Sequence, residues 1–467
     1  TCGNVSFSII LLQLTSPIKG TDSGIINSII KTAVVPPVLL AVAAVLCYLF
    51  IVRGMYALED LPVKKIPRWS KICIEVVMVV FFLHTVQVQG TEIGMWDYIQ
   101  SVRESSDFYE KEYVNPAKVK MTFPKEKKNL IYIFMESMES SYADKEDGGT
   151  MDDNYIPNLT KLARENVQFT DKKDGKVGGP VCLEATAYTA GGLVAQTSAI
   201  NLKVMNSGAV SDSFLPNLTA LGDILNKQGY NQMFLCGSDG DFAGRDAYFK
   251  THKDYQIEDY KAAIKEGDIP KDYKVYWGHE DKVLYERAKK NLKKLSKEGK
   301  PFNLTMLTVD THFPNGYICD LCENKYDTTY GNAVACADRQ VYDFVQWIKK
   351  QDFYEDTTII IAGDHTSMVD TGSKFWKSLS NDYQRTVYNA IINPQCAYKK
   401  KVTTKRKFST MDMFPTTLAA LGVEIDGNKL GLGTNLFSGE ETLREELGAN
   451  YINKELKRND KMYNQFY

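Results

Sequence analysis

From residue 128 onward, short runs rich in β-branched and aromatic residues alternate with longer amphipathic stretches, and the runs lead into polar side chains. NLIYIFM (129–135), QMFLC (232–236), FNLTMLTV (302–309), TTIIIAG (357–363) and VYNAIIN (387–393) have strand composition. The intervening segments 215–228, 279–297 and 336–350 have helical spacing. This alternation predicts an α/β fold, a sheet covered by helices. Such sheets place their active sites just beyond the carboxyl ends of the strands, so the informative residues are those each strand runs into. Strand 129–135 runs into Glu136, strand 302–309 into Asp310, Thr311 and His312, and strand 357–363 into Asp364 and His365. The run 232–236 leads into GSDGDFAGRD, which carries Ser238, Asp239, Arg245 and Asp246. In EATAYTAGGLVAQTSAINL, small residues suggest a loop entering a helix, with Thr189 near the helix start.

The amino-terminal part is of a different character. Residues 32–52 and 72–89 are long apolar runs, and a bilayer core requires about 20 such residues, with a lower limit near ~17. Between them Arg53, Lys64, Lys65, Arg68 and Lys71 crowd a short loop, and positive loops stay in the cytoplasm. Two transmembrane helices are therefore expected, with everything after residue 90 outside the cell, the alternative being a buried core hairpin. A shorter apolar stretch, 5–15, precedes them, and the chain opens on Thr1, so a fragment with further membrane segments upstream is expected. The organisation read from sequence is a membrane region (1–90), a polar and aromatic linker (91–127) and an extracytoplasmic domain (128–467).

Net charge is −2, which gives no global field to gather nucleic acid. The basic run Lys399, Lys400, Lys401, Lys405, Arg406 and Lys407 reads either as a solvated face or as a contact for an anionic bilayer surface. Six of the nine cysteines lie in the outer portion, where an oxidising compartment permits disulfides. A disulfide is expected at Cys319 and Cys322 in preference to a zinc knuckle, because a second ligand pair is missing and Cys336 alone does not supply it.

With only five histidines in the chain, those inside polar motifs are informative. Glu136, Asp364 and His365 offer two oxygens and a nitrogen at strand ends, and one more oxygen completes a four-coordinate site for zinc or manganese. The Thr189 hydroxyl could be that fourth ligand, and metal coordination at a helix N-terminus would make it a nucleophile. Arg245 and His312 complement a phosphodiester: a guanidinium forks onto phosphate oxygens, and an imidazole either protonates a leaving alkoxide or holds a nonbridging oxygen. The bland reading of Arg245 is an ion pair with Asp246. Ser238 and Asp239, in the same segment, are further candidate substrate contacts.

In that order along the chain, NLIYIFMESMES, TAYTAGGLVAQTSAINL, LCGSDGDFAGRDAYFKTH, TVDTHFPNGY, IIIAGDHTSM and DMFPTTLAALGVEIDGNKLGLGTNLFS resemble the membrane-bound phosphoglycerol transferases. Lipoteichoic acid synthase is a more distant relative of that family. The resemblance implies a sulfatase or alkaline-phosphatase-like mixed sheet flanked by helices. It implies Glu136, Asp364 and His365 as metal ligands, with Thr189, rather than Thr186, as a nucleophile that also meets the metal. It implies Arg245 and His312 as head-group contacts, and a divalent cofactor: Mn²⁺, with Zn²⁺ or Mg²⁺ as alternatives. The implied reaction moves glycerol phosphate from phosphatidylglycerol to a glycan or cell-wall polysaccharide through a covalent threonine intermediate at the outer face of the cell membrane. Where lipoteichoic acid synthases carry His and Trp ahead of this Arg, the chain has Cys236 and Ala243, closer to the glucan-type branch. A sulfatase proper needs a Cys or Ser nucleophile followed by x-P-S-R, which YTAGGL lacks. Phosphoethanolamine transfer, phosphodiester hydrolysis and catalytically idle glycan or lipid binding are the competing expectations.

Overall fold

A computed structural model of the protein describes residues 68–173, 175–203 and 213–467, with isolated positions between 35 and 49. The apolar stretch 5–15, most of the expected span 32–52 and most of the basic loop lie outside the described residues. The chain divides into two units; among the described residues, those up to Gln100 belong to the first and those from Ser101 to the second.

In the first unit the expected span 72–89 lies within one helix, Arg68–Glu92, whose side chains include the exposed Val76, Val77, Phe81, Phe82 and Leu83. Among the described residues no single helix is long and apolar enough to cross a membrane. Glu75–Glu92 and Met95–Arg103, bent by 75°, meet that criterion together, by length and composition.

The second unit is built on a six-stranded sheet of β1 (Asn129–Met135), β2 (Asn231–Cys236), β3 (Tyr255–Glu258), β4 (Phe302–Leu307), β5 (Thr357–Gly363) and β6 (Asn389–Ile392), in the order β3-β2-β4-β1-β5-β6. All neighbours are parallel except the edge pair β5 and β6, so the sheet is mixed. Alternate residues of β1 feed opposite layers. Leu130, Tyr132 and Phe134 enter one core with Phe234, Ile360 and Leu193, while Ile131, Ile133 and Met135 enter the other with Leu304, Ile361 and Phe344. Burial on both faces explains why these strands read as continuous apolar runs rather than as alternation. Each fully buried Leu, Ile or Phe contributes about 1.5–3 kcal/mol relative to exposure.

The sequence reading differs from the structure in instructive places. The strand expected over 302–309 leaves the ladder after Leu307, and the helix expected over 336–350 starts earlier, at Thr329, where the Thr328 side chain caps Gly331 N–H. The helix expected over 215–228 is confined to Leu221–Lys227. The edge strand Tyr255–Glu258 was not anticipated: YQIE holds only one β-branched residue, and pairing with β2 creates the strand. The disulfide joins Cys322 to Cys336, leaving Cys319 a free thiol whose Sγ lies 3.6 Å from that of Cys322.

Helix α1 (Thr189–Ser198) lies against the carboxyl end of β5. Gln196 Nε2 donates to the carbonyls of Gly363 (2.9 Å) and Asp364 (3.3 Å), and Tyr132 donates its hydroxyl to Gln196 Oε1. The approach requires Gly192, since a Cβ there would stand 2.2 Å from the Asp364 carbonyl oxygen. Gly192→Ala is therefore expected to destabilise the protein by about 1–3 kcal/mol through overpacking, read as a lowered urea midpoint. An unchanged midpoint would contradict this helix placement.

Candidate active site

The sheet register brings the first two site residues together. Met135 pairs with Gly363, so the residues that follow, Glu136 and Asp364, leave adjacent parallel strands side by side. Asp364 N–H still donates to the Met135 carbonyl at 3.1 Å, extending the ladder by one bond. The end of β4 fixes Glu136 from the other side. Glu136 N–H donates to Thr308 Oγ1 at 2.9 Å, and Thr311 Oγ1 donates to the Glu136 carbonyl. Ser137 then turns the chain with φ 52°, a left-handed conformation unusual for a residue with a Cβ, and gives its N–H to Asp364 Oδ1 at 2.8 Å. Such strain costs on the order of 1–3 kcal/mol and persists only where surrounding contacts hold it.

Glu136, Asp364 and His365 are all buried and present ligand atoms within 4.8 Å of one another. His365 Nε2 lies 3.4 Å from Glu136 Oε1 and 3.5 Å from Asp364 Oδ2. Its Nδ1 donates to the Thr366 carbonyl at 2.8 Å, so Nε2 is the ring nitrogen that faces the carboxylates. Thr189, the first residue of α1, joins them: its Oγ1 is 3.2 Å from Glu136 Oε2 and 3.4 Å from His365 Nε2. Thr186 is placed differently, exchanging hydrogen bonds with both the carbonyl and the N–H of Leu183.

The electrostatics fit a cation at this point. Asp364 Oδ1 accepts two backbone N–H groups, whereas the buried Oδ2 has no hydrogen-bond partner. Burial and the neighbouring Glu136 push Asp364 up to about 8. Burial disfavours the charge on His365, yet Asp364 and Glu136 outweigh it and push the imidazole up to about 10. Both shifts have one cause: positive charge is favoured between the buried carboxylates, and a metal ion would supply it. Two carboxylates, an imidazole and a hydroxyl suit a divalent ion of the manganese or zinc type.

Residues absent from the sequence reading hold these ligands. Glu139 accepts Ser367 N–H at 2.8 Å and pairs with Arg385, which also donates to the Ser367 carbonyl at 2.7 Å and lies over the Trp376 ring. A hydroxyl chain runs from Ser367 through Tyr330 and Tyr142 to the Ser137 carbonyl. The loops that carry Glu136 and His365 are thereby bonded to each other. The contacts that join the two loops have no local signature, since Tyr142 lies 188 positions from Tyr330 and Glu139 lies 228 from Ser367.

Beside this cluster, His312 donates from Nδ1 to the Phe313 carbonyl at 2.8 Å and packs against Trp277, ring centroids 4.7 Å apart. Burial lowers its basicity, while Glu136 works in the opposite direction; His365 and Arg245 are also near enough to be felt. Arg245 is buried and, among the described residues, bonds neutral acceptors only: Phe242 O (3.0 Å), Ser238 Oγ (3.0 Å) and Asp239 O (2.8 Å), none through Nη1. The ion pair with Asp246 does not form, since Asp246 meets Lys250 instead at 2.7 Å. Ser238 and Asp239 are gathered at Arg245, but the Asp239 carboxylate is directed to Lys261 at 2.6 Å. Trp277, which lies between His312 and Phe242, came from a segment in which sequence gave no signal.

The sulfatase family profile matches residues 128–423. Phosphoglycerol transferase I of Salmonella choleraesuis is 33% identical over 340 residues, 70% of this chain and 41% of that protein. The chain thus spans about two-fifths of the length of the curated relatives it matches. Lipoteichoic acid synthase LtaP from Listeria monocytogenes shares the fold at TM-score 0.52 with 18% identity, over 68% of this chain and 79% of that one. The integral membrane protein lipooligosaccharide phosphoethanolamine transferase A from Neisseria meningitidis does so at 0.50 with 16% identity, over 91% and 81%. With a strand-end cluster of two carboxylates, an imidazole and a threonine, and a family match over more than half its length, the chain belongs to the sulfatase family.

Proposed function

We propose that this chain is a membrane-anchored phosphoglycerol transferase that takes glycerol phosphate from phosphatidylglycerol and passes it to a glycan or cell-wall polysaccharide hydroxyl. The name of the relatives supports the class of reaction. The observation that carries the choice of head group is Arg245, a buried guanidinium that has no carboxylate partner among the described residues and lies beside the acid–imidazole cluster. Its uncompensated charge favours a phosphate and a neutral glycerol, and opposes the ammonium of an ethanolamine head group.

Glu136, Asp364, His365 and Thr189 would hold a divalent ion, Mn²⁺ by its preference for oxygen donors, which would supply Lewis acidity to lower the threonine's pKa. Thr189 Oγ attacks phosphorus, its O–P bond forming as the bond to the diacylglycerol oxygen breaks. The hydroxyl proton has Glu136 Oε2 within 3.2 Å. An anionic phosphodiester set against His312 Nε2 raises that imidazole's proton affinity, enabling it to protonate the leaving alkoxide. Arg245 orients the phosphate oxygens through its unengaged Nη1. An acceptor hydroxyl then displaces Thr189, and the protons return by the same groups.

The lipid donor places the reaction at a bilayer. Helices over 32–52 and 72–89 are proposed as transmembrane anchors, with 128–467 as the catalytic part outside the cell; of the expected linker 91–127, the residues from Ser101 on belong to the second unit, where Phe108 and Tyr109 are buried in its core. The Cys322–Cys336 disulfide supports an oxidising compartment.

Metal uptake competes with protons on Asp364 and His365, pushed up to about 8 and about 10. Protons are released as the ion binds, so affinity rises with pH and weakens as pH falls. Calorimetry of Mn²⁺ binding at pH 7 in buffers of different ionisation enthalpy is expected to show that release; identical enthalpies in all buffers would contradict it. Diacylglycerol release from phosphatidylglycerol and from phosphatidylethanolamine tests the donor. Wild type is expected to prefer the former, and Arg245→Gln to lose about 10–100-fold on it, the loss of a charged hydrogen bond, with a narrower preference. Faster release from phosphatidylethanolamine would assign the chain to phosphoethanolamine transfer instead.

A further inference from the structure

The basic run 399–407 sorts in the structure into one buried residue and an exposed cluster. Arg406 is buried against Glu445 at 2.9 Å, whereas Lys399, Lys400, Lys401, Lys405 and Lys407 are exposed and make no ion pair among the described residues. Tyr398, 42% exposed, stands at the head of the run. A second basic loop adjoins it: Thr170 N–H donates to Thr403 O (2.9 Å), Lys405 N–H to Lys172 O (3.1 Å) and Arg406 N–H to Thr170 O (3.0 Å). That loop adds Lys173 and Lys176, both exposed.

Topology shows which end of the sheet this patch occupies. Val167 bridges Ile391 in antiparallel sense, and Phe169 exchanges hydrogen bonds with the Asn389 side chain, so the chain from 167 to 172 runs opposite to β6. Because β6 is itself antiparallel to β5, the segment advances toward the carboxyl ends of the parallel strands. Glu136 and Asp364 emerge at that same end.

We propose that this lysine patch docks the catalytic unit on an anionic bilayer surface, holding the end of the sheet that carries the acid–imidazole cluster against the leaflet that contains the donor. The inference rests on the reading of the donor as a bilayer lipid. Clustered lysines are attracted to an anionic lipid surface, and an exposed tyrosine suits the head-group layer. In a chain of net charge −2 the attraction comes from this patch rather than from the protein as a whole. A soluble anionic polymer is the competing partner, but it would not need the patch at the donor-facing end.

The full chain, reconstituted in phosphatidylcholine vesicles with or without phosphatidylglycerol, is footprinted by amine acetylation. Lys399, Lys400, Lys401, Lys405 and Lys407 are expected to label several-fold more slowly with phosphatidylglycerol present, and to lose that protection at high salt. Lys297 and Lys300, exposed just before β4 at the opposite end of the sheet, are expected to label equally in both. Equal labelling of the patch in both vesicles, equal protection of Lys297 and Lys300, or protection by added dextran sulfate but not by phosphatidylglycerol would each overturn the proposal. Replacing the five lysines by Gln is expected to raise the apparent KM for vesicle phosphatidylglycerol several-fold while leaving kcat on a short-chain soluble analogue unchanged. The footprint needs no turnover, so an absence of phosphatidylglycerol cleavage would defeat the proposed function while the footprint still decides docking.

Discussion

Two buried carboxylates at the ends of adjacent strands cannot both keep their charge in a low-dielectric interior without positive charge between them. Glu136 and Asp364 are in that position, and the site around them is organised by the requirement. The His365 imidazole is pushed up to about 10 by the two acids, and Asp364 Oδ2 remains without a hydrogen bond. The arrangement costs stability unless a cation binds, and a ligand that binds only the folded state returns stability by mass action. Folding and function are coupled here through one charge imbalance.

The scaffold holds that imbalance in place by redundancy. The register Met135 to Gly363 fixes the two acids relative to each other, and Thr308 and Thr311 hold Glu136 from the third strand. The Glu139–Arg385 pair and the hydroxyl chain from Ser367 to the Ser137 carbonyl bind the loops beyond. Gly192 lets α1 approach until Thr189 reaches the acids, and Ser137 adopts its unfavourable φ where all of these restraints converge. A preorganised constellation of this kind avoids rearrangement at the moment of reaction.

What could be read beforehand follows from the range of the forces involved. NLIYIFM and TTIIIAG announce buried strands through composition, and the polar residue that ends each is a local feature, so Glu136, Asp364 and His365 were legible. Thr189 was legible through the small residues that let its helix pack closely. Nothing local announces β3, which exists because β2 offers a free edge, nor Arg385, whose partner Glu139 is 246 positions away. The pairing of Cys322 with Cys336, leaving Cys319 free, depends on how the loop after His312 meets the helix Thr329–Ile348. For Arg245 the sequence supplied Asp246 as a neighbour, but helical geometry turns that acid toward Lys250 at i+4, and the guanidinium is left for the site.

The account stands or falls on Thr189 as the group that carries the phosphoryl unit. The direct measurement is mass spectrometry of the full chain, acid-quenched during turnover of phosphatidylglycerol with Mn²⁺ and without acceptor. The account predicts a glycerophosphoryl adduct on the peptide that contains Thr189, absent from Thr189→Ala. Turnover with the adduct on another residue, or undiminished turnover in Thr189→Ala, would contradict it.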